Sequence, residues 1–152
     1  MTSYKRLLIT GAAGSIGKTL CSAWRKNPYY KLTCCDIHKE DDKDDSIKIA
    51  DVRDYARMKE LCINKDVLVH LAYIPQMHLG KVENEKSDIA ANITLFEAAR
   101  ESGVKRIIFA STNHVTGVNE RSLPPILSKG NQFRPDSWYL NERTRWTESS
   151  SF

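Results

Sequence analysis

Three glycines constrain this chain more than any other feature of it. Gly11, Gly14 and Gly17 are spaced G-x-x-G-x-x-G (GAAGSIG), between a short apolar run, Arg6–Thr10 (RLLIT), and a helical stretch from about Ser15 to Lys26. A turn that bends sharply and lets its backbone approach another group needs residues without a Cβ. A helix beginning straight after such a turn aims its free N–H groups and the positive end of its dipole forward, and phosphate suits that position. Glycines alone mark turns everywhere. The strand–turn–helix setting is what makes this triplet a phosphate seat, with Gly11, Gly14, Ser15, Ile16 and Gly17 as its candidate contacts.

The rest of the chain alternates short β-type runs with longer helical ones, the pattern of a parallel sheet with crossover helices. Lys31–Asp36 (KLTCCD) predicts a second strand, Ile47–Ala50 (IKIA) a third, Asp66–Ala72 (DVLVHLA) a fourth and Lys105–Ser111 (KRIIFAS) a fifth. A helix is expected over Asp51–Cys62, with Tyr55, Met58, Leu61 and Cys62 at helical spacing. Another is expected over Glu85–Ser102, with Ile89, Ile93, Phe96 and Ala99 along one stripe and Gly103 as its stop. Five strands joined in this way are expected in the order 3-2-1-4-5, a Rossmann-type doubly wound α/β sheet. The 152 residues have room for that one domain.

Asp36 adds an independent signal. It closes the second strand nineteen residues beyond Gly17, where an acid accepts hydrogen bonds from the hydroxyls of an adenosine ribose. The same charge repels the extra phosphate of NADP, and Glu40, Asp41 and Asp42 lean the same way. The expected cofactor is therefore NAD.

Other classes are less well supported. The 23 Lys and Arg against 19 Asp and Glu leave a net charge of +4, dispersed rather than gathered in a patch, so no nucleic-acid partner is expected. No apolar run approaches the ~20 residues of a membrane helix, and no leader precedes the first strand, which reads as a cytoplasmic protein with no membrane partner. Cys21, Cys34, Cys35 and Cys62 show no CxxC spacing. They read as buried reduced thiols, and no metal site is expected.

Taken together, TGAAGSIG (Thr10–Gly17), Asp36, Asp51-Val52, HLA (His70–Ala72), the helix bearing Asn92 and FASTNHVTG (Phe109–Gly117) resemble the extended short-chain dehydrogenase/reductase, or NAD-dependent epimerase/dehydratase, family. FASTNHVTG with RPDSWY (Arg134–Tyr139) is most similar to its uronate dehydrogenases, which oxidise the anomeric carbon of a sugar acid with NAD. The resemblance implies that Asp51 and Val52 flank adenine and that Leu71 and Ala72 line the cofactor. It places Ser111, Thr112 and Asn113 at the substrate, with Ser111 also at the cofactor. Thr112 takes the catalytic Ser/Thr position and Tyr139 that of the base, with His114 and Asn92 in support. His70 is assigned to the strand, as a satisfied histidine.

A tyrosine of pKa ~10 needs a neighbouring cation to act as a base near neutrality. The family supplies a lysine four residues on, whereas this chain has Arg143, which keeps the charge but not the compact ammonium. Past Tyr139 the pattern is lost, and the sixth strand and substrate-binding C-terminal portion that the resemblance implies do not follow. The chain therefore reads as truncated, with a catalytically impaired NAD-binding module as the alternative to an active enzyme. A homodimer formed through helices like Glu85–Ser102 also follows from the resemblance.

Overall fold

The computed structural model describes residues 4–39, 45–73 and 82–111, with the side chains of 82–86 outside that description. The chain divides into two compact units, Met1–Phe109 and Ala110–Phe152; of the second, Ala110 and Ser111 alone are described. The first unit contains β1 (Lys5–Thr10), α1 (Ser15–Arg25), β2 (Tyr30–Asp36), β3 (Ile47–Ile49), α2 (Tyr55–Cys62), β4 (Val67–His70), α3 (Val82–Glu101) and β5 (Arg106–Phe109). The strands form one sheet in the order β3-β2-β1-β4-β5, with every pairing parallel. This is the doubly wound arrangement that the alternation predicts.

Parallel strands covered on both faces read as continuous apolar runs, and β1 shows why. Leu7 and Ile9 pack with Cys21 of α1, Cys34 and Val69, while Leu8 packs with Cys35, Met58 and Leu61 of α2, Leu68, and Leu95 and Ala98 of α3. Adjacent residues thus feed opposite cores, as the period of two requires. The four cysteines are all buried and free. Burial pushes the Cys21 and Cys35 thiols up to about 12 and Cys62 to about 11, which keeps them protonated and inert.

β4 and β5 end two residues short of the expected runs, and the larger differences from the pattern-based expectation are on α2 and α3. The helix expected from Asp51 begins at Tyr55, because Asp54 caps it by accepting from Arg57 N–H at 3.0 Å. Asp51 instead folds a local turn, accepting from Arg53 N–H at 2.9 Å. On α3 the buried positions are Asp88, Ala91, Asn92, Leu95, Ala98 and Ala99, whereas Ile93 is 47% exposed. The helix ends as expected at Gly103 (φ +75°), where Gly103 N–H bonds Arg100 O and Val104 N–H bonds Ala99 O, a Schellman closure.

At the opposite end of the sheet from the glycine turn, Asp66 ties the approach of β4 to the start of β1. Its carboxylate accepts from Arg6 N–H at 2.8 Å, Nε at 3.1 Å and Nη2 at 3.0 Å. These bonds hold the Asp66 carboxyl well below the usual carboxylate range. A carboxyl depressed in the folded state stabilises it above the unfolded pKa of ~3.9 and loses that contribution as pH falls toward the folded value. Asp66→Asn is therefore expected to lower Tm at pH 7, with the gap to wild type narrowing as pH drops below ~4. Thermal scans at pH 7, 5 and 2.5 check this, and a gap that stays constant across them contradicts it.

Candidate functional site

The site forms where β1, β2 and β4 end. Past Thr10 the chain turns at Gly11 with φ +71°, a conformation that costs a residue with a Cβ about 1–2 kcal/mol. Space forbids a side chain as well, since a Cβ on Gly11 would lie 2.5 Å from Ala72 N and 2.6 Å from the Leu71 carbonyl carbon. Gly17 meets a similar limit on the helix side, where a Cβ would lie 2.2 Å from Gly11 O and 2.7 Å from Ala12 Cα. These two glycines let α1 and β4 close on the turn. Gly14 differs from both: it is exposed, and a Cβ there would meet nothing but Gly11 O, at 3.3 Å. The loop is open at its tip.

The turn is bound to β2 by two backbone donors. Ala12 N–H bonds Cys35 O at 3.1 Å, and Ala13 N–H bonds Asp36 Oδ2 at 2.9 Å. Asp36 Oδ1 accepts from His38 N–H at 3.2 Å. Behind the tip α1 starts at Gly14 without a side-chain cap and with no acidic residue in its first turn. Its first N–H groups and the positive end of its dipole are therefore suited to receive an anion. Ser15 and Ile16 are exposed on that turn, Ile16 at 63%.

The remaining sequence-derived candidates divide three ways. Leu71 packs half-buried on the α1-side core, donates its N–H to Thr10 O at 3.1 Å, and with Ala72 forms the wall against Gly11. Asp51 and Val52 follow β3, but Val52 packs on the core beside α2 and α3. The Asp51 carboxylate is already taken by Arg53, through Nε at 3.0 Å and Nη2 at 2.6 Å, bonds that also lower its pKa. Ser111 is irregular backbone two residues past β5. Thr112, Asn113, His114, Tyr139 and Arg143 lie outside the described residues.

His70 is a satisfied histidine, as read: 1% exposed, with Nδ1 2.7 Å from Thr10 Oγ1 and Nε2 2.7 Å from Asn92 Oδ1. Sequence reasoning missed three participants: Ala13, whose N–H meets Asp36; Thr10, whose hydroxyl meets His70; and Arg53. Thr10 alone left a signal, as the polar last residue of an apolar strand. No group of acids, histidines or cysteines able to hold a metal occurs among the described residues, nor any helix long and apolar enough to cross a membrane.

Fold and site together define a nucleotide-binding protein of the Rossmann type. The chain belongs to the NAD dependent epimerase/dehydratase family, whose model matches residues 7–142. It is 32% identical to a uronate dehydrogenase of Pseudomonas syringae and 33% identical to one of Pseudomonas putida, each covering 99% of this chain. An L-arabinose 1-dehydrogenase (NAD(P)(+)) of Haloferax volcanii is 31% identical over 88% of it. Among solved structures, a uronate dehydrogenase from Agrobacterium tumefaciens superposes with a TM-score of 0.72 at 30% identity, over 92% of this chain and 52% of that one. A variant of uronate dehydrogenase from the same organism, complexed with NAD, gives 0.71 at 29% identity. The chain spans about half the length of the curated relatives it matches, 54% and 56% of the two Pseudomonas enzymes.

Proposed function

We propose that this chain is the NAD-binding domain of a cytoplasmic oxidoreductase acting on the anomeric carbon of a sugar acid, in the manner of the uronate dehydrogenases it is similar to. The observation that carries the reading is the Asp36 carboxylate held 2.9 Å from Ala13 N–H. That bond holds a carboxylate beside an uncapped, acid-free helix start, which supports a ribose on Asp36 and a pyrophosphate at the helix. The residues fit the cofactor: Gly11 and Gly17 are closed to any Cβ by backbone, and the exposed Gly14 leaves the tip open. Leu71 and Ala72 form the wall along which the cofactor continues. When bound, NAD supplies the hydride acceptor.

Catalysis in this reading belongs to residues beyond β5. Tyr139 takes the proton of the anomeric hydroxyl, Thr112 orients that hydroxyl, and Ser111 and Asn113 contact the sugar acid. Arg143 stabilises the Tyr139 phenolate where relatives use lysine. That replacement favours a second reading, a module that binds NAD with little turnover, because a planar guanidinium does not reproduce the point charge of an ammonium.

Calorimetric titration with NAD and NADP tests the shared core of both readings. NAD alone is expected to bind, and binding of neither overturns them. Galacturonate, glucuronate and arabinose, assayed by NADH absorbance, then separate them. Turnover of the two acids but not arabinose supports the uronate reading, turnover of arabinose alone replaces the substrate class, and binding without turnover selects the second reading.

A further inference from the structure

We infer that His70 is a positioning residue for the far half of the dinucleotide crevice, acting through Thr10 and Asn92; the inference rests on the dinucleotide reading above. His70 occupies the last rung of two strand pairs at once, opposite Thr10 of β1 and opposite Phe109 of β5. Its ring is boxed by Phe109, stacked at 5.5 Å and 29°, and by Phe96 of α3, edge-on at 5.7 Å and 90°. Both ring nitrogens meet polar partners at 2.7 Å. With the Asn92 amide oxygen facing Nε2, that nitrogen carries the proton, and Nδ1 accepts from the Thr10 hydroxyl. One imidazole thereby joins the ends of β1 and β4 to α3.

What lies immediately beyond that rung gives the joint its consequence. There β1 and β4 part, with Gly11 turning toward α1 while Leu71 and Ala72 run on. The gap between them is set tightly: Leu71 N–H bonds Thr10 O at 3.1 Å, and the Gly11 backbone leaves no room for a Cβ against Ala72. Asp36 lies on the β2 side of the glycine turn and β4 on the other side. A dinucleotide with its adenosine ribose on Asp36 and its pyrophosphate on the turn must carry its second nucleoside across the end of β4. Disturbing the Thr10–His70–Asn92 relay therefore shifts the floor under the second nucleoside and leaves the seat of the first in place. A purely structural role for the same buried groups predicts a different result, a loss of stability that weakens both halves alike.

ADP occupies the first half of the crevice and NAD both halves, so their affinities separate the two roles. The full chain and its Thr10→Val, Thr10→Ser and Asn92→Ala variants are titrated with each, alongside thermal unfolding. Thr10→Val keeps the shape of the side chain and removes the donor to Nδ1, while Thr10→Ser restores it. The expected result is NAD affinity weakened about tenfold in Thr10→Val and in Asn92→Ala, ADP affinity changed by less than about twofold, and Thr10→Ser near wild type. Equal losses for NAD and ADP, or no loss for either, overturn the inference, as does unfolding of both the Val and the Ala variant. Wild-type NAD binding no tighter than ADP binding overturns this inference alone. Wild-type binding of neither nucleotide overturns the dinucleotide reading and this inference with it.

Discussion

Gly17→Ala and Gly11→Ala are each expected to remove ~4 kcal/mol or more of stability, a large part of the roughly 5–15 kcal/mol that an ordinary domain has. The obstacle in both cases is backbone, which cannot rotate away. A Cβ at 17 would lie 2.2 Å from Gly11 O, so α1 would have to back off from the end of β1 by more than 1 Å, opening the Leu7–Ile9–Cys21 core behind it. At 11 the collision with Ala72 N at 2.5 Å is added to a positive φ of 71°. Two other glycines serve as controls. Gly103→Ala has the same left-handed backbone (φ +75°) with nothing within 4 Å, so its cost is the conformational one of about 1–2 kcal/mol. Gly14→Ala needs a few tenths of an ångström from Gly11 O at most, and its expected cost is below ~1 kcal/mol. Urea unfolding of the four variants measures the order, and a Gly17→Ala unfolding free energy within ~1 kcal/mol of wild type would mean that α1 does not sit this close to the turn.

The order of the sheet was legible because its strands are buried on both faces and its crossovers are regular: runs such as RLLIT and DVLVHLA have few other uses. The face of α3 was legible only in part: Phe96 and Ala99 lie on the core as the stripe predicts. Apolar size points to Ile89 and Ile93, yet the core takes Ala91, Asn92, Leu95 and Ala98, and Ile93 is exposed. Alanines let the helix lie close to the sheet, and Asn92 faces inward because His70 Nε2 is there to meet it. A hydropathy stripe cannot register a buried amide whose partner is 22 residues away. The start of α2 is illegible for a related reason, since Asp51 and Asp54 are both of a capping type, and what separates them is that Asp51 accepts from Arg53 N–H in a turn while Asp54 accepts from Arg57 N–H at the helix start. At the site, the spacing of Gly11, Gly14, Gly17 and Asp36 identified the elements that meet. The bond from Ala13 to Asp36 and the capture of Asp51 by Arg53 depend on rotamers, which spacing does not encode.

Asp36→Ala is expected to weaken NAD binding by about 10²–10³-fold and to erase the preference for NAD over NADP. A carboxylate has about four lone-pair sites. Ala13 N–H takes one on Oδ2 and His38 N–H one on Oδ1, which leaves roughly one on each oxygen, the number a vicinal ribose diol requires. Each charge-assisted bond is worth about 1.5–3 kcal/mol, and each ~1.4 kcal/mol is tenfold in Kd. NADP feels the opposite change, because removing the carboxylate removes its repulsion of the added phosphate. Alanine also deletes the acceptor for Ala13 N–H, so looser binding from a displaced turn must be separated from a lost ribose contact. Asp36→Asn makes the separation, since its amide oxygen still accepts from Ala13 while the charge is gone. Its NH2 then faces His38 N–H and forfeits that exposed bond, so this variant is expected to lower Tm less than Asp36→Ala, lose about tenfold in NAD affinity and gain measurable NADP binding. Calorimetric titration of both variants with both dinucleotides reads these effects. NAD affinity within ~3-fold of wild type in Asp36→Ala would place the ribose elsewhere, and the carboxylate would then serve only to brace the glycine turn.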